Sequence, residues 1–138
     1  MIDRQQQLVY DWENRIVAPL DKTIVSFDNI KQIVNYVWQD EGLEYPPLVE
    51  RLPPQTRRKC GDATRTKIRF QEATNTWIIL HELAHAMSAT HDHRSNLHGA
   101  LFMGLYLRLL QRYLKVDLID SVIASGIVVT KDAKPVFV

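Results

Sequence analysis

The sequence predicts an α+β single domain, residues 1–138, in which a small mixed or antiparallel sheet packs against a central metal-binding helix and surrounding helices. Three observations predict it. The apolar run from Trp77 to Ala89 carries His81, Glu82 and His85 at helical spacing. Segments before and after that run repeat apolar residues every three to four positions, the period of an amphipathic helix. Between Leu48 and Gln71 the period falls to two, as it does on a half-buried strand.

Composition sets the frame for these elements. A chain of 138 residues, 46% hydrophobic and 24% charged, has the make-up of one ordinary globular domain. Its net charge of +1 gives no global field that would recruit nucleic acid or a membrane surface, so any charge argument is local. The opening residues Met1 to Gln7 lack the apolar core of a signal peptide, and no run approaches the ~18 apolar residues of a membrane span. An intracellular, cytoplasmic protein without a membrane partner is expected. Cys60 is the only cysteine, which excludes an internal disulfide and a cysteine-based zinc ribbon. A lone cysteine is expected to be a small buried hydrophobe.

Taken in order, Leu8, Trp12 and Ile16 describe a first amphipathic helix from Asp3 to about Val17, ended by Pro19. Ser26 then stands as an N-cap, with Val25 and Ile30 placed as a hydrophobic staple. The stripe Ile30, Ile33, Val34, Val37, Trp38 continues that second helix to Gly42 and Pro46-Pro47. Leu48 to Leu52 reads as a short strand closed by Pro53-Pro54. A turn around Gly61-Asp62 leads into the alternating run Arg65 to Phe70, with Thr66, Ile68 and Phe70 on one face and three cations on the other. Asn75 or Thr74 caps the central helix, which runs to Ala89 or Thr90. A polar loop, His91 to Asn96, precedes a helix from about His98 to Leu114. Asp117 caps a last short helix through Ala124, ended by Gly126, and Ile127-Val128-Val129 reads as a small strand.

The central helix carries the chemistry. Four residues apart, His81 and His85 stack one turn above the other, about 5–6 Å between Cβ atoms, and both can reach one zinc ion. Glu82 leans over the open side of such a metal, the H-E-x-x-H arrangement of zinc-dependent peptidases. A chance cluster on a surface helix is the alternative. Against it, the flanks are apolar nearly all round the helix, and burying His, Glu and His together without a strong partner would be costly.

A catalytic zinc usually takes three protein ligands and one open position. A glutamate from the following helix is disfavoured, because nothing acidic lies between Gly99 and Lys115. His91 stands at the spacing of H-E-x-x-H-x-x-G-x-x-H, but Ser88 replaces the glycine that turns the chain back toward the metal. His98 is preferred, since it begins an apolar helix after a loop long enough to return it to the metal, and Gly99 would permit close backbone approach. His91 and His93 stay as alternative ligands.

His81-Glu82-Leu83-Ala84-His85, followed after a polar loop by His98-Gly99-Ala100-Leu101-Phe102, resembles the SprT-like zinc metallopeptidases, whose pattern is H-E-x-x-H with a downstream H-G-x-x-F. The likeness spans about Trp77 to Tyr106. It implies a zincin-like domain, one Zn2+ per chain held by His81, His85 and His98, and Glu82 as catalytic base. It also implies Phe102 packed behind the ligands, and a metalloendopeptidase acting on protein or peptide. The four-cysteine ribbon and DNA-binding extension of longer members have no counterpart here, so the implied unit is a minimal protease core.

Several further residues carry expectations. Tyr106, two helical turns after His98, is a candidate transition-state stabiliser, with core packing as the competing role. Asp92, Asp117 and Asp120 are candidate partners for the ligands' second ring nitrogens. The run Arg65, Lys67, Arg69 could hold an extended substrate by strand addition. With Arg57, Arg58 and Lys59 it also forms the one local basic concentration, a candidate nucleic-acid contact and the basis of a DNA-associated protease as an alternative function. A zinc-stabilised scaffold that cleaves nothing, its metal closed by His91 or His93, is a second alternative, and a zinc hydrolase of non-peptide bonds a third.

Overall fold

The paired entries to two helices organise the architecture. The computed structural model describes residues 3, 5–56, 59–89 and 98–136. In it strands β1 (Ile24–Ser26) and β5 (Ala73–Asn75) run antiparallel, with Val25 opposite Thr74. Each leads directly into a helix, α2 (Phe27–Asp40) after β1 and α3 (Thr76–Ser88) after β5, so both start from one two-stranded ribbon. Three residues per strand leave too little alternation for the period to show in the sequence. The N-terminus of α3 is capped from a distance: the buried Asp21 accepts the Trp77 N–H at 2.8 Å through its carboxylate. Asn75 holds the N-cap position, but its side chain donates to the Thr23 and Asp21 carbonyls instead.

The second sheet has the order β2-β4-β3. Strand β2 (Leu48–Arg51) runs parallel to β4 (Lys67–Phe70), and β3 (Gly61–Ala63) runs antiparallel to it. Alternation along β4 holds: Ile68 and Phe70 are fully buried, while Lys67 points to solvent. Two expectations are corrected here. Gly61-Asp62 is a strand and not a turn, and the strand bearing the cations starts at Lys67, leaving Arg65 and the exposed Thr66 in the connecting hairpin turn. Because β4 is the middle strand, both of its backbone edges are used, and a substrate strand cannot be added to Arg65–Phe70.

Before the ribbon lies α1 (Gln6–Trp12), which widens into one π-helical turn at Glu13–Val17 and then tightens into a 3-10 turn at Ala18–Leu20. The inward face is Val9, Trp12, Glu13 and Val17, in place of the expected Leu8, Trp12 and Ile16; Leu8 is 42% exposed. After α3 come α4 (Ala100–Leu114) and α5 (Ile119–Ala124). Helix α4 packs along α3, and between them and the sheets lie Leu80, Leu83, Phe70, Phe102, Tyr106 and Trp38, all essentially solvent-free. Helix α3 is apolar on every side because every side is covered: each residue from Ile79 to Ser88 is buried.

The segment Ile127–Val129 is not a strand. Its backbone groups find partners in helices and side chains: Val128 N–H donates to Gln5 Oε1, and the next residue but one, Thr130, donates to the Ala100 carbonyl at 3.0 Å. The segment lies so close to α4 that a Cβ on Gly104 would stand 2.3 Å from the Thr130 carbonyl oxygen. Among the described residues no helix is long and apolar enough to cross a membrane.

Candidate metal centre

Two histidines of the cluster come from the middle of α3 and the third from the residue pair before α4. His81 and His85, one turn apart, turn their Nε2 atoms toward each other at 3.1 Å. His98 completes the triangle, with its Nε2 3.2 Å from His85 and 3.3 Å from His81. Nitrogen ligands at tetrahedral angles and Zn–N bonds of about 2.0–2.1 Å stand roughly 3.3 Å apart, so the three side chains are spaced as one small divalent ion requires. All three are buried. Among the described residues they are the one group of His, Cys, Asp or Glu side chains that converges in this way. His91 and His93 lie outside the described residues, as do Asp92, Arg57 and Arg58.

Helix α4 begins at Ala100, so His98 lies before it and not on it. Gly99 has φ −83°, and a Cβ there would meet nothing within 4 Å, so close approach is not its purpose. It stands at the N-cap position of α4 in extended conformation. Phe102, in the first turn of α4, stacks on His85 with ring centres 4.3 Å apart and meets His81 and His98 edge-on at 5.1 and 5.0 Å. It walls the back of the cluster and fixes three ring planes at once.

Two acids that the sequence reading missed hold the outer ring nitrogens. Glu13 Oε2 is 2.6 Å from His81 Nδ1, and Asp3 Oδ2 is 2.7 Å from His98 Nδ1. Each carboxylate accepts the Nδ1 proton and leaves Nε2 with its lone pair facing the centre, the arrangement that orients metal-binding histidines. Asp117 and Asp120 do not serve the histidines; Asp117 accepts the Ile119 N–H at the start of α5. Glu13 carried a weak sequence signal, an acid spaced four residues from both Val9 and Val17 on the buried face of the first helix.

The electrostatics follow from burial and these partners. Burial alone would lower His81, but the charge and hydrogen bond of Glu13, joined by Glu82, raise its pKa above the ordinary value. For His98 burial wins over Asp3, and its pKa is lowered. Asp3 shows the reverse balance, with hydrogen bonds from the His98 ring and backbone outweighing its own burial and lowering it. Glu82 is buried, and its carboxyl is pushed up to about 7 by that burial, opposed by His81 and reinforced by Asp62 and Glu13.

Glu82 and His81 face a cleft of about 330 Å³ that Tyr10, Lys59, Cys60 and Gly61 also line. The backbone of Gly61 backs directly onto Glu82, for a Cβ at Gly61 would lie 3.0 Å from Glu82 Oε2. Cys60 is exposed at this cleft and not a buried hydrophobe. Burial of its thiol, then Glu82 and Glu13, raise its pKa, which disfavours the thiolate needed for a metal ligand. A larger hollow of about 530 Å³, between Leu52, Pro53 and Glu72, contains none of these groups.

Tyr106 is fully buried and its hydroxyl donates to Glu13 Oε2 at 2.7 Å. Burial and the adjacent Glu13 raise its pKa well above that of free tyrosine. The described cations of the basic segment, Lys59, Arg65, Lys67 and Arg69, are engaged within the chain. Arg69 and Lys59 share Asp62, Lys67 reaches Glu50 at 3.6 Å, and the Arg65 guanidinium lies over the Trp38 ring and donates to the Glu44 carbonyl.

The centre therefore comprises three buried histidines able to hold a metal ion, His81 and His98 braced by carboxylates and His85 stacked on Phe102, with a perturbed glutamate at the adjoining cleft. Comparison with family models, curated proteins and solved structures finds no match.

Proposed function

We propose that the protein is a zinc-dependent metallopeptidase with Glu82 as its general base. The observation that carries this reading is the convergence of His81, His85 and His98 Nε2 atoms beside a cleft that Glu82 lines. The chemistry of the donor set supports zinc, since three neutral imidazoles suit a borderline ion and leave a fourth position open. When bound, zinc supplies a Lewis acid and lowers the pKa of a water in its open position to about 7.

The chain's own residues supply the remainder. Glu82, held near 7 by burial, accepts a proton from the attacking water and returns it to the leaving amine; a base poised at the working pH does both with little penalty. Glu13 and Asp3 keep His81 and His98 in the ligating tautomer. Tyr106 acts through Glu13, because its hydroxyl is buried and already committed there. A peptide takes its place along β3, whose outer edge is the sheet edge beside Glu82, and not along β4. The resemblance of the two histidine motifs to SprT-like enzymes points the same way. With Lys59, Lys67 and Arg69 paired to acids, the reading needs no DNA partner.

The test compares wild type with Glu82→Gln for bound zinc and for cleavage of unfolded protein, with and without DNA. Zinc in both and cleavage in wild type alone is expected. Zinc in both and cleavage in neither sinks the peptidase reading in favour of a silent zinc-stabilised scaffold.

A further inference from the structure

His98 stands on a different footing from the other two histidines. His81 and His85 are fixed by the backbone of α3, whereas His98 precedes the first turn of α4. Its place is set by the opening stretch of the chain, more than ninety residues away in sequence. Asp3 Oδ2 accepts both the His98 backbone N–H at 3.1 Å and the ring Nδ1–H at 2.7 Å. Gln5 Nε2 donates to the His98 carbonyl at 2.9 Å and to the Val128 carbonyl at 3.2 Å, while Gln5 Oε1 accepts the Val128 N–H at 2.6 Å. Asp3 Oδ1 in turn accepts the Gln5 N–H at 3.3 Å, tying the two residues into one unit. Tyr10, from α1, closes edge-on against the imidazole with ring centres 5.0 Å apart.

Every polar group of His98 except the ligating nitrogen thus engages Asp3 or Gln5. We propose that Asp3 and Gln5 are positioning residues for the metal, forming a strap that converts a two-histidine helix into a three-histidine site. The proposal rests on the reading that the cluster holds a metal ion. Physically, the strap does two things. It fixes the tautomer through Nδ1, and it fixes the backbone so that the ring is placed before the ion arrives, which lowers the entropy lost on binding. Gln5 also ties His98 to Val128, so the segment before α4 and the segment after α5 are held by one side chain.

The experiment uses the full chain as wild type, Asp3→Asn, Gln5→Ala, the double variant, His98→Ala, and Asp11→Asn as an acid of the same region outside the strap. Zn2+ affinity is read by chelator competition, Co2+ coordination by its visible absorption, and metal-free stability by urea unfolding. Asp3 and Gln5 are only partly buried, so the variants keep the fold. Asp3→Asn is expected to weaken Zn2+ binding about 10–100-fold, the scale found for lost outer partners of ligating histidines. Gln5→Ala should weaken it several-fold, the double variant should approach His98→Ala in affinity and Co2+ spectrum, and Asp11→Asn should match wild type. Wild-type affinity and an unchanged Co2+ spectrum in both strap variants overturn the proposal, as does a loss of metal-free stability with no change in affinity. A wild-type protein that binds neither ion overturns the metal reading itself. Equal binding by wild type and His98→Ala removes His98 as a ligand, a distinct failure.

Discussion

Glu13 Oε2 lies 2.6 Å from Nδ1 of His81, and the same oxygen accepts the Tyr106 hydroxyl at 2.7 Å. One buried carboxylate oxygen therefore orients the His81 ring and is itself held by a phenol. Glu13→Gln removes the charge while keeping the volume, and it should weaken zinc binding about 10–100-fold. Tyr106→Phe leaves the carboxylate in place and should cost about 1–2 kcal/mol of stability with a smaller loss of zinc affinity. Chelator competition and urea unfolding read both. Turnover per bound zinc separates the roles of Tyr106: an unchanged value fits a residue acting through Glu13, and a large fall with full zinc would make it a transition-state stabiliser.

Glu82 gives a pH signature in the metal-free protein. Its folded pKa of about 7 lies above the 4.5 of an ordinary glutamate, so the folded state keeps a proton that the unfolded chain has released. Stability from this group is fully present below about 4.5, falls as pH rises toward 7, and is level above that. The loss should total about 3 kcal/mol. Glu82→Gln carries no such proton, so the difference in urea-unfolding free energy between the variants should change across that window and stay flat outside it. Parallel profiles from pH 4 to 8 would show that Glu82 ionises normally.

Asp21 carries the third prediction. Its Oδ2 accepts the Trp77 N–H and its Oδ1 accepts the Thr23 N–H, joining the start of α3 to the chain before β1. Asp21→Ala should lower stability by about 1–2 kcal/mol, the usual cost of losing a helix cap, without changing the metal stoichiometry. Urea unfolding with and without zinc checks it. An effect within a few tenths of a kcal/mol would mean that water replaces the carboxylate.

What was legible in the sequence and what was not divides along chain separation. His81, Glu82 and His85 are readable because helical geometry alone brings residues four apart together, and the apolar surroundings that bury them are written in the same segment. His98 is readable because it opens the next apolar helix and the chain between can return it. Glu13 and Asp3 are 68 and 95 residues from the histidines they hold, and no local pattern states such a pairing. Glu13 also opens a π-helical turn, across which the buried position falls on Val17 and not on Ile16. Strands β1, β3 and β5 are three residues each, too short for an alternation to stand out. Conversely, Ile127–Val129 has strand-like composition, but its backbone finds Gln5 and Val122 before any strand. Composition reports what a segment favours, and its partners decide the outcome.

Gly61, expected in a turn, lies on the edge strand β3 against Glu82. A Cβ there would lie 3.0 Å from Arg69 carbonyl oxygen, 3.0 Å from Glu82 Oε2 and 3.1 Å from Glu82 Cγ. The first contact is backbone of the central strand and cannot yield easily, so relief must come from the glutamate. Gly61→Ala should therefore swing the Glu82 carboxylate off its position, while the three Nε2 atoms, fixed by α3 and by Asp3 and Glu13, stay in place. Zinc affinity should remain within a few-fold of wild type. Turnover should fall several-fold, because the carboxylate must give by a few tenths of an ångström and displacing a reacting group costs rate. Gly61→Val, with two more methyl groups, should be the more severe. The pair of measurements is decisive, for a variant that loses zinc along with turnover has disturbed α3 as a whole, and one that keeps both has shown that β3 moves aside. Only retained metal with reduced turnover places Gly61 where the backbone contact puts it, as the strand residue against which the general base is aimed.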